Sequence, residues 1–280
     1  EKASNKWEEV LQQNSNYNLA YSGVGKSLLR QNNYKLAMKN FNFANNREYF
    51  SKAFSYYREK LFKDNFNKFI WVAVIFIISL YIFTKMKKKT NKRYLVLSTN
   101  EKLQLEYNQN KSLKNNLRIN INRLLKSLKY SLYVIFHPID GFWNLKNENK
   151  GNIVTGIILL GLLIYAFIFK QVYTGFIFNK NNLTEINIFI EIGSIIIPFL
   201  LWCIVNWSLT TLMEGKGTFK DIFVMTAFAF VPVIIIYLPV TTLSHWLTLE
   251  ESLFYYFFMT AGIFWSGFLL FLGTLTTHEY

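Results

Sequence analysis

PFLLWCIVNWSLTTLMEGKGTFKD, residues 198–221, is the stretch that decides how the chain is read. It opens as an apolar span interrupted by Pro198 and carries Asn206 and Trp207 near its end. It then passes through Glu214-Gly215-Lys216-Gly217 and re-enters apolar sequence after Asp221. Two membrane helices joined by so short a turn must lie side by side as an antiparallel hairpin. The polar residues of the hairpin therefore gather at one depth, close to one membrane face.

Outward from this hairpin, apolar runs recur over residues 152–169, 188–212, 221–243 and 252–275, with a shorter one over 69–84. The 51% hydrophobic content is thus concentrated in runs, which is the pattern of a polytopic membrane protein. The expectation is an all-α fold of five spans, the first taken with its flanks as residues 67–86. At 1.5 Å rise per residue that first run is short, so flanking Trp, Tyr and Lys side chains must reach out to complete it.

The net charge of +14 is unevenly placed. Residues 85–150 hold 15 Lys or Arg against 4 acids, while the rest of the chain beyond them holds four Lys. Because the cations flank apolar spans, they speak for orientation in a membrane and against nucleic-acid binding. The cluster KMKKKTNKR at 85–93 belongs on the cytoplasmic side. Residues 1–66 are then external and the C-terminus is cytoplasmic. The basic character of residues 1–66 does not oppose this, since folded domains translocate largely regardless of charge. Cys203 is alone and inside an apolar span, which excludes a disulfide framework or thiolate metal site.

Residues 1–66 follow a different rule. From Asn18 the large and small positions are Tyr21, Val24, Gly25 and Leu28, then Ala37, Phe41 and Ala44. This spacing resembles the 34-residue tetratricopeptide repeat. Gly25 and Ala37 would be the small positions where two helices touch, with Tyr21 and Phe41 beside them. Ala3, Trp7 and Val10 stand 34 residues before Ala37, Phe41 and Ala44, so the pattern is entered midway and upstream sequence is expected. Phe54, Tyr57 and Leu61 make a looser capping helix. Tyr21, Tyr34 and Tyr49 are the candidate residues for holding a protein partner. Gly23-x-Gly25-Lys26-Ser27 lacks the spacing of a phosphate-binding loop and falls inside a repeat helix.

Residues 87–132 read as a cytoplasmic basic linker followed by an interfacial helix. Residues 95–110 are polar and linker-like. From Leu113 an apolar stripe runs through Leu117, Ile121, Leu124, Leu128, Leu132 and Ile135. Arg118, Arg123, Lys126 and Lys129 occupy the opposite side, turned toward anionic lipid headgroups. The helix ends at His137-Pro138, since the residue before proline avoids the helical region.

Five segments carry a second resemblance: FHPIDGFWNLK (136–146), VYTGFIFN (172–179), residues 198–223, FAFVP (228–232) and GTLTTHEY (273–280). Together they resemble the bacterial branch of the YIP (Ypt-interacting protein) family over residues 133–280. The resemblance implies a four-span membrane domain with no enzymatic activity, and bacterial relatives suggest a companion of solute-import systems. Eukaryotic members bind small GTPases. Their cytoplasmic motif of the Asp-Leu-Tyr-Gly-Pro type is replaced here by His137-Pro138-Ile139-Asp140-Gly141, which argues against carrying that partner over.

The polar groups expected at the cytoplasmic boundary are His137, Asp140, Asn206, Glu214, Lys220, Asp221 and His278. No pair has metal-ligand spacing, and most lie at span ends where water reaches them. No catalytic residue, metal or cofactor is therefore assigned. Asp140 is expected to start a turn with Gly141, Asp221 to sit in a helical first turn, and Asn206 to hydrogen-bond across helices. The expected function is a non-enzymatic membrane adaptor. Its external repeat holds a protein partner, and its bundle docks with lipids and another integral membrane complex. The alternative is a transporter or channel component using Glu191, Asn206 and spans broken by Pro198, Pro232 and Pro239.

Overall fold

The computed structural model describes residues 2–101, 112–148, 150–181, 186–212 and 217–278. Among these the chain is helix and connection, with no strand. It divides into two compact units: Glu1–Ala44 with Lys52–Asn120, and Asn45–Ser51 with Ile121–Tyr280.

The first unit begins with three short helices, α1 (Lys2–Gln13), α2 (Asn18–Arg30) and α3 (Tyr34–Phe43), each packed on the next. Ala20, Ala37 and Phe41 are fully buried between them. A Cβ added at Gly25 would come within 2.6 Å of the Phe41 ring, and one at Gly23 within 2.4 Å of Trp7. The two glycines are thus where rings from neighbouring helices press on the backbone of α2. Asn32, in the α2–α3 connection, takes a left-handed φ of 59°, which Asn tolerates better than most residues.

The next helix, α4 (Arg47–Glu101), is long and bends at Asn65, where φ is −119°. The Asn65 side-chain amide donates to the Leu61 carbonyl at 3.1 Å, satisfying an acceptor at the bend. The polar linker expected over 95–110 is helical as far as Glu101, and residues 102–110 lie outside the described ones. No Pro or Gly interrupts residues 95–101, and Leu and Glu among them favour helix, so polarity alone misled. The apolar run 69–84 lies within α4, and its described apolar side chains, such as Trp71, Ile75, Phe76 and Ile77, are exposed.

The second unit contains the C-terminal part of α5 (Ser112–Phe136), then α6 (Pro138–Asn147), α7 (Ile153–Tyr173), α8 (Ile188–Leu212), α9 (Phe219–Ala229), α10 (Val231–Leu243) and α11 (Ser252–His278). Among the described residues four segments are long and apolar enough to cross a membrane: Ile153–Tyr173, Ile188–Thr210, Phe219–Leu243 and Ser252–His278. The chain is a multi-pass membrane protein. Its third segment is the core, 72% buried against 28%, 11% and 28% for the others.

That core segment is broken. Ile222–Ala229 are all buried, and α9 stops at Phe230, with Pro232 in the first turn of α10. Proline fits a first turn because the N–H it lacks has no helical partner there. Pro198 and Pro239 lie inside α8 and α10 without ending them, so of the three expected breaks only the one at Pro232 occurs. Close approach to the core comes from glycine: a Cβ at Gly273 would meet Met225 at 2.7 Å, and one at Gly156 would meet Phe223 at 3.0 Å.

Candidate functional site

The second unit has two polar ends. At its near end α7 and α9 begin and α8 and α11 finish; at its far end α7 and α10 finish and α8 and α11 begin.

At the near end His278 is buried, and its Nδ1 lies 2.8 Å from the Thr210 hydroxyl. Thr210 donates to the Asn206 carbonyl at 2.8 Å. One hydroxyl has one proton, so Nδ1 of His278 carries the hydrogen shared with Thr210. The Asn206 side chain donates to the Trp202 carbonyl of its own helix at 2.8 Å. The cross-helix bond expected of Asn206 is therefore made by Thr210, one turn further on. An amide in a helix can satisfy itself on the preceding turn, which sequence spacing does not reveal. Lys146 on α6 donates to the Thr277 carbonyl at 2.9 Å and ties that helix to the end of α11.

The other expected boundary residues are dispersed. Asp221 closes a capping box: its carboxylate accepts from the Thr218 N–H at 3.1 Å and hydroxyl at 2.6 Å, and its N–H donates back to that hydroxyl. His137 precedes α6, exposed, with its ring stacked 4.5 Å from Tyr133. Asp140 is exposed in the first turn of α6, so the expected turn is a helix start, where a carboxylate suits the dipole. Glu214 lies outside the described residues. Among the described residues no three His, Cys, Asp or Glu are grouped as a metal would require.

Beside this network lies a recess of about 650 Å³ lined by Lys126, Tyr130, Lys150, Asn152 and Lys220. The Asn144 amide donates to the Tyr130 hydroxyl at 3.1 Å, and burial pushes that phenol above its ordinary value, so it stays neutral. The Lys150 ammonium pairs with Glu148, whose hydrogen bond raises its pKa, and lies 5.4 Å from the Tyr130 ring centroid. Of the four cations expected at the membrane surface, Lys126 and Lys129 are exposed. Arg118 and Arg123 belong to the helical backbone of α5.

At the far end the segment Asn45–Ser51, placed early in the chain, packs among the loops. Asn45 turns the backbone with φ 52°, and the Asn46 side chain accepts from the Tyr49 N–H at 3.2 Å. Arg47 donates from Nε to the Phe176 carbonyl at 3.2 Å and from a terminal nitrogen to the Asn179 carbonyl at 3.1 Å. Its guanidinium lies 5.4 Å from the Phe176 ring centroid, and Phe50 packs on the same ring at 4.9 Å. The Ser51 hydroxyl accepts from the Leu249 N–H at 2.8 Å. Nothing local in the sequence marks Arg47 for this role. Also at this end, Glu191 in the first turn of α8 accepts from the Gln171 amide at 2.7 Å. Of the tyrosines proposed for partner contact, Tyr21 and Tyr34 belong to the first unit and Tyr49 to this segment, all half-exposed.

One family matches the chain: the Yip1 domain, over residues 132–280. No curated protein and no solved structure matches it.

Proposed function

The chain belongs to the Yip1 domain family, and from that premise we propose that it is a non-enzymatic membrane adaptor, coupling an external helical repeat to a five-span membrane bundle. The observation that carries this reading is the set of contacts made by Asn45–Ser51. Arg47, Phe50 and Ser51 fasten the segment that follows the helical hairpins to the 176–179 and 249 connections. A load on the hairpins is thereby delivered to the loops between spans.

The same segment supports the fifth span. Residues 45–51 lie at the far end of the second unit, whereas Ser127, Lys146 and Phe142 pack at the near end. In this reading the chain between crosses the membrane through its apolar stretch, 69–84. We place residues 1–66 outside and the basic segment 85–93 in the cytoplasm, as the positive-inside rule favours. The tetratricopeptide reading of residues 1–51 is supported by the Gly25–Phe41 and Gly23–Trp7 contacts. The protein partner is taken by the hairpins. Another integral membrane complex is taken on α8, which is little covered and presents Trp202, Val205 and Leu209 outward.

Topology is tested by maleimide labelling of Ser15→Cys in intact cells. Reaction without permeabilisation is expected; reaction only after it rejects the external placement. Function is tested by reconstituting the full chain alone in liposomes. The transport alternative would use Glu191 and Asn206, yet Glu191 is engaged by Gln171 and Asn206 by Trp202. Uptake is expected at the empty-vesicle rate. Saturable uptake abolished by Glu191→Ala would replace the adaptor with a carrier.

A further inference from the structure

We propose that the recess at the near end binds the phosphate of an anionic phospholipid headgroup. This rests on the chain being a membrane protein and is independent of the adaptor reading. Three cations from three separate places meet on one opening of about 650 Å³: Lys126 from α5, Lys150 from the α6–α7 connection and Lys220 from the start of α9. Like charges brought together without an anion repel, so the arrangement asks for a negative ligand.

The acids nearby do not fill that need. Glu148 pairs with Lys150, and Asp221 is held in its capping box with Thr218. Among the described residues no carboxylate lies within ion-pair distance of Lys126 or Lys220, and both are exposed. Asn152, whose side-chain oxygen accepts from the Val154 N–H, keeps its NH2 for a phosphate oxygen, while Tyr130, donating to the Gly141 carbonyl, forms a neutral wall of the recess.

Depth selects a lipid over a soluble phosphate. Asn152 caps α7, whose apolar span starts at Ile153, and Lys220 stands two residues before the fully buried Ile222. The three ammonium groups therefore sit where hydrocarbon gives way to headgroups. Alongside, α5 leaves Leu125, Leu132 and Phe136 exposed, apolar surface that an acyl chain would cover and a free phosphate would not use. The helix meets the rest of the unit instead through Ser127, which donates to the Lys150 carbonyl, and through Ser131 and Val134.

The test is native mass spectrometry of the full chain, delipidated and then offered equimolar phosphatidylglycerol and phosphatidylcholine. Retention of one phosphatidylglycerol, about thirtyfold preferred, is expected from two lysine contacts at about 1 kcal/mol each. Lys126→Gln, Lys150→Gln and Lys220→Gln should each weaken it about fivefold. These side chains are exposed, so folding is not at risk. Glu148→Gln should strengthen retention, and Lys180→Gln at the far end should leave it unchanged. Equal retention of the two lipids, or a triple lysine variant that behaves as wild type, overturns the proposal. Displacement of the lipid by millimolar inorganic phosphate reassigns the recess to a soluble anion and also overturns it.

Discussion

Replacing Gly175 by alanine should cost about 2–4 kcal/mol of stability, the sum of overpacking and a lost buried hydrogen bond. Gly175 follows α7 and has an ordinary negative φ, so what it supplies is space. A Cβ there would stand 2.7 Å from the Ser244 carbonyl oxygen and 3.1 Å from the His245 nitrogen. Those are backbone atoms at the end of α10 and cannot swing aside. The Gly175 N–H also donates to the buried Ser244 hydroxyl at 2.8 Å, so pushing the two apart strands that N–H, while Ser244 keeps its own bond to the Thr241 carbonyl. Gly161, in the middle of α7, is the internal control, since a Cβ there meets nothing within 4 Å. Gly161→Ala should be neutral or stabilising by up to about 1 kcal/mol, because glycine weakens a helix interior. Thermal unfolding in one detergent compares the two directly. Equal stability of the two variants would mean that the α7 and α10 ends are not in contact.

Arg47→Ala combined with Phe50→Ala should release residues 45–51 while leaving the four-span bundle folded. Arg47 makes two hydrogen bonds to carbonyls, and charge-assisted bonds of this kind are worth about 1.5–3 kcal/mol before the ring contacts are counted. Amide hydrogen exchange over 45–51 should accordingly quicken by about tenfold to a hundredfold, while exchange in α9 stays unchanged. Recovery of the external partner together with the bundle's membrane neighbour should fall in parallel. Unchanged exchange over 45–51 would show that the segment is held by something other than Arg47 and Phe50. Faster exchange with no loss of joint recovery would instead sever the link between this contact and the adaptor function.

The four spans from Ile153 onward were legible because each rests on a local apolar run, and the stop at His137-Pro138 because proline acts on its immediate neighbour. Asp221 was legible for the same reason, since a capping box spans four residues. What escaped was decided over longer distances or by competing partners. Asn206 could bond outward or back along its helix, and only the packed helix shows the latter. Arg47 meets Phe176 and Asn179 from more than a hundred residues away, with neither a repeat nor a hydropathy signal to announce it. The recess draws Lys126, Lys150 and Lys220 from three elements whose charges, read along the chain, look like ordinary solvated flanks. Asp140-Gly141 resembles a turn in sequence, but Pro138 fits a helical first turn and Gly141 lets α6 pass close to Val134.

The enclosure of α9 and α10 has a consequence for how the protein is made. In the order of synthesis α7 and α8 enter the membrane before this segment, and α11 follows it. α11 packs against both α9 and α10, with Gly273 pressed on Met225. While α11 is still in the ribosome, one side of the core span therefore faces lipid or an insertion chaperone. There Thr226 and Thr241, fully buried in the finished bundle, lack their final surroundings. A nascent chain arrested before Ser252 thus holds three of the second unit's four apolar segments, with their core open on one side.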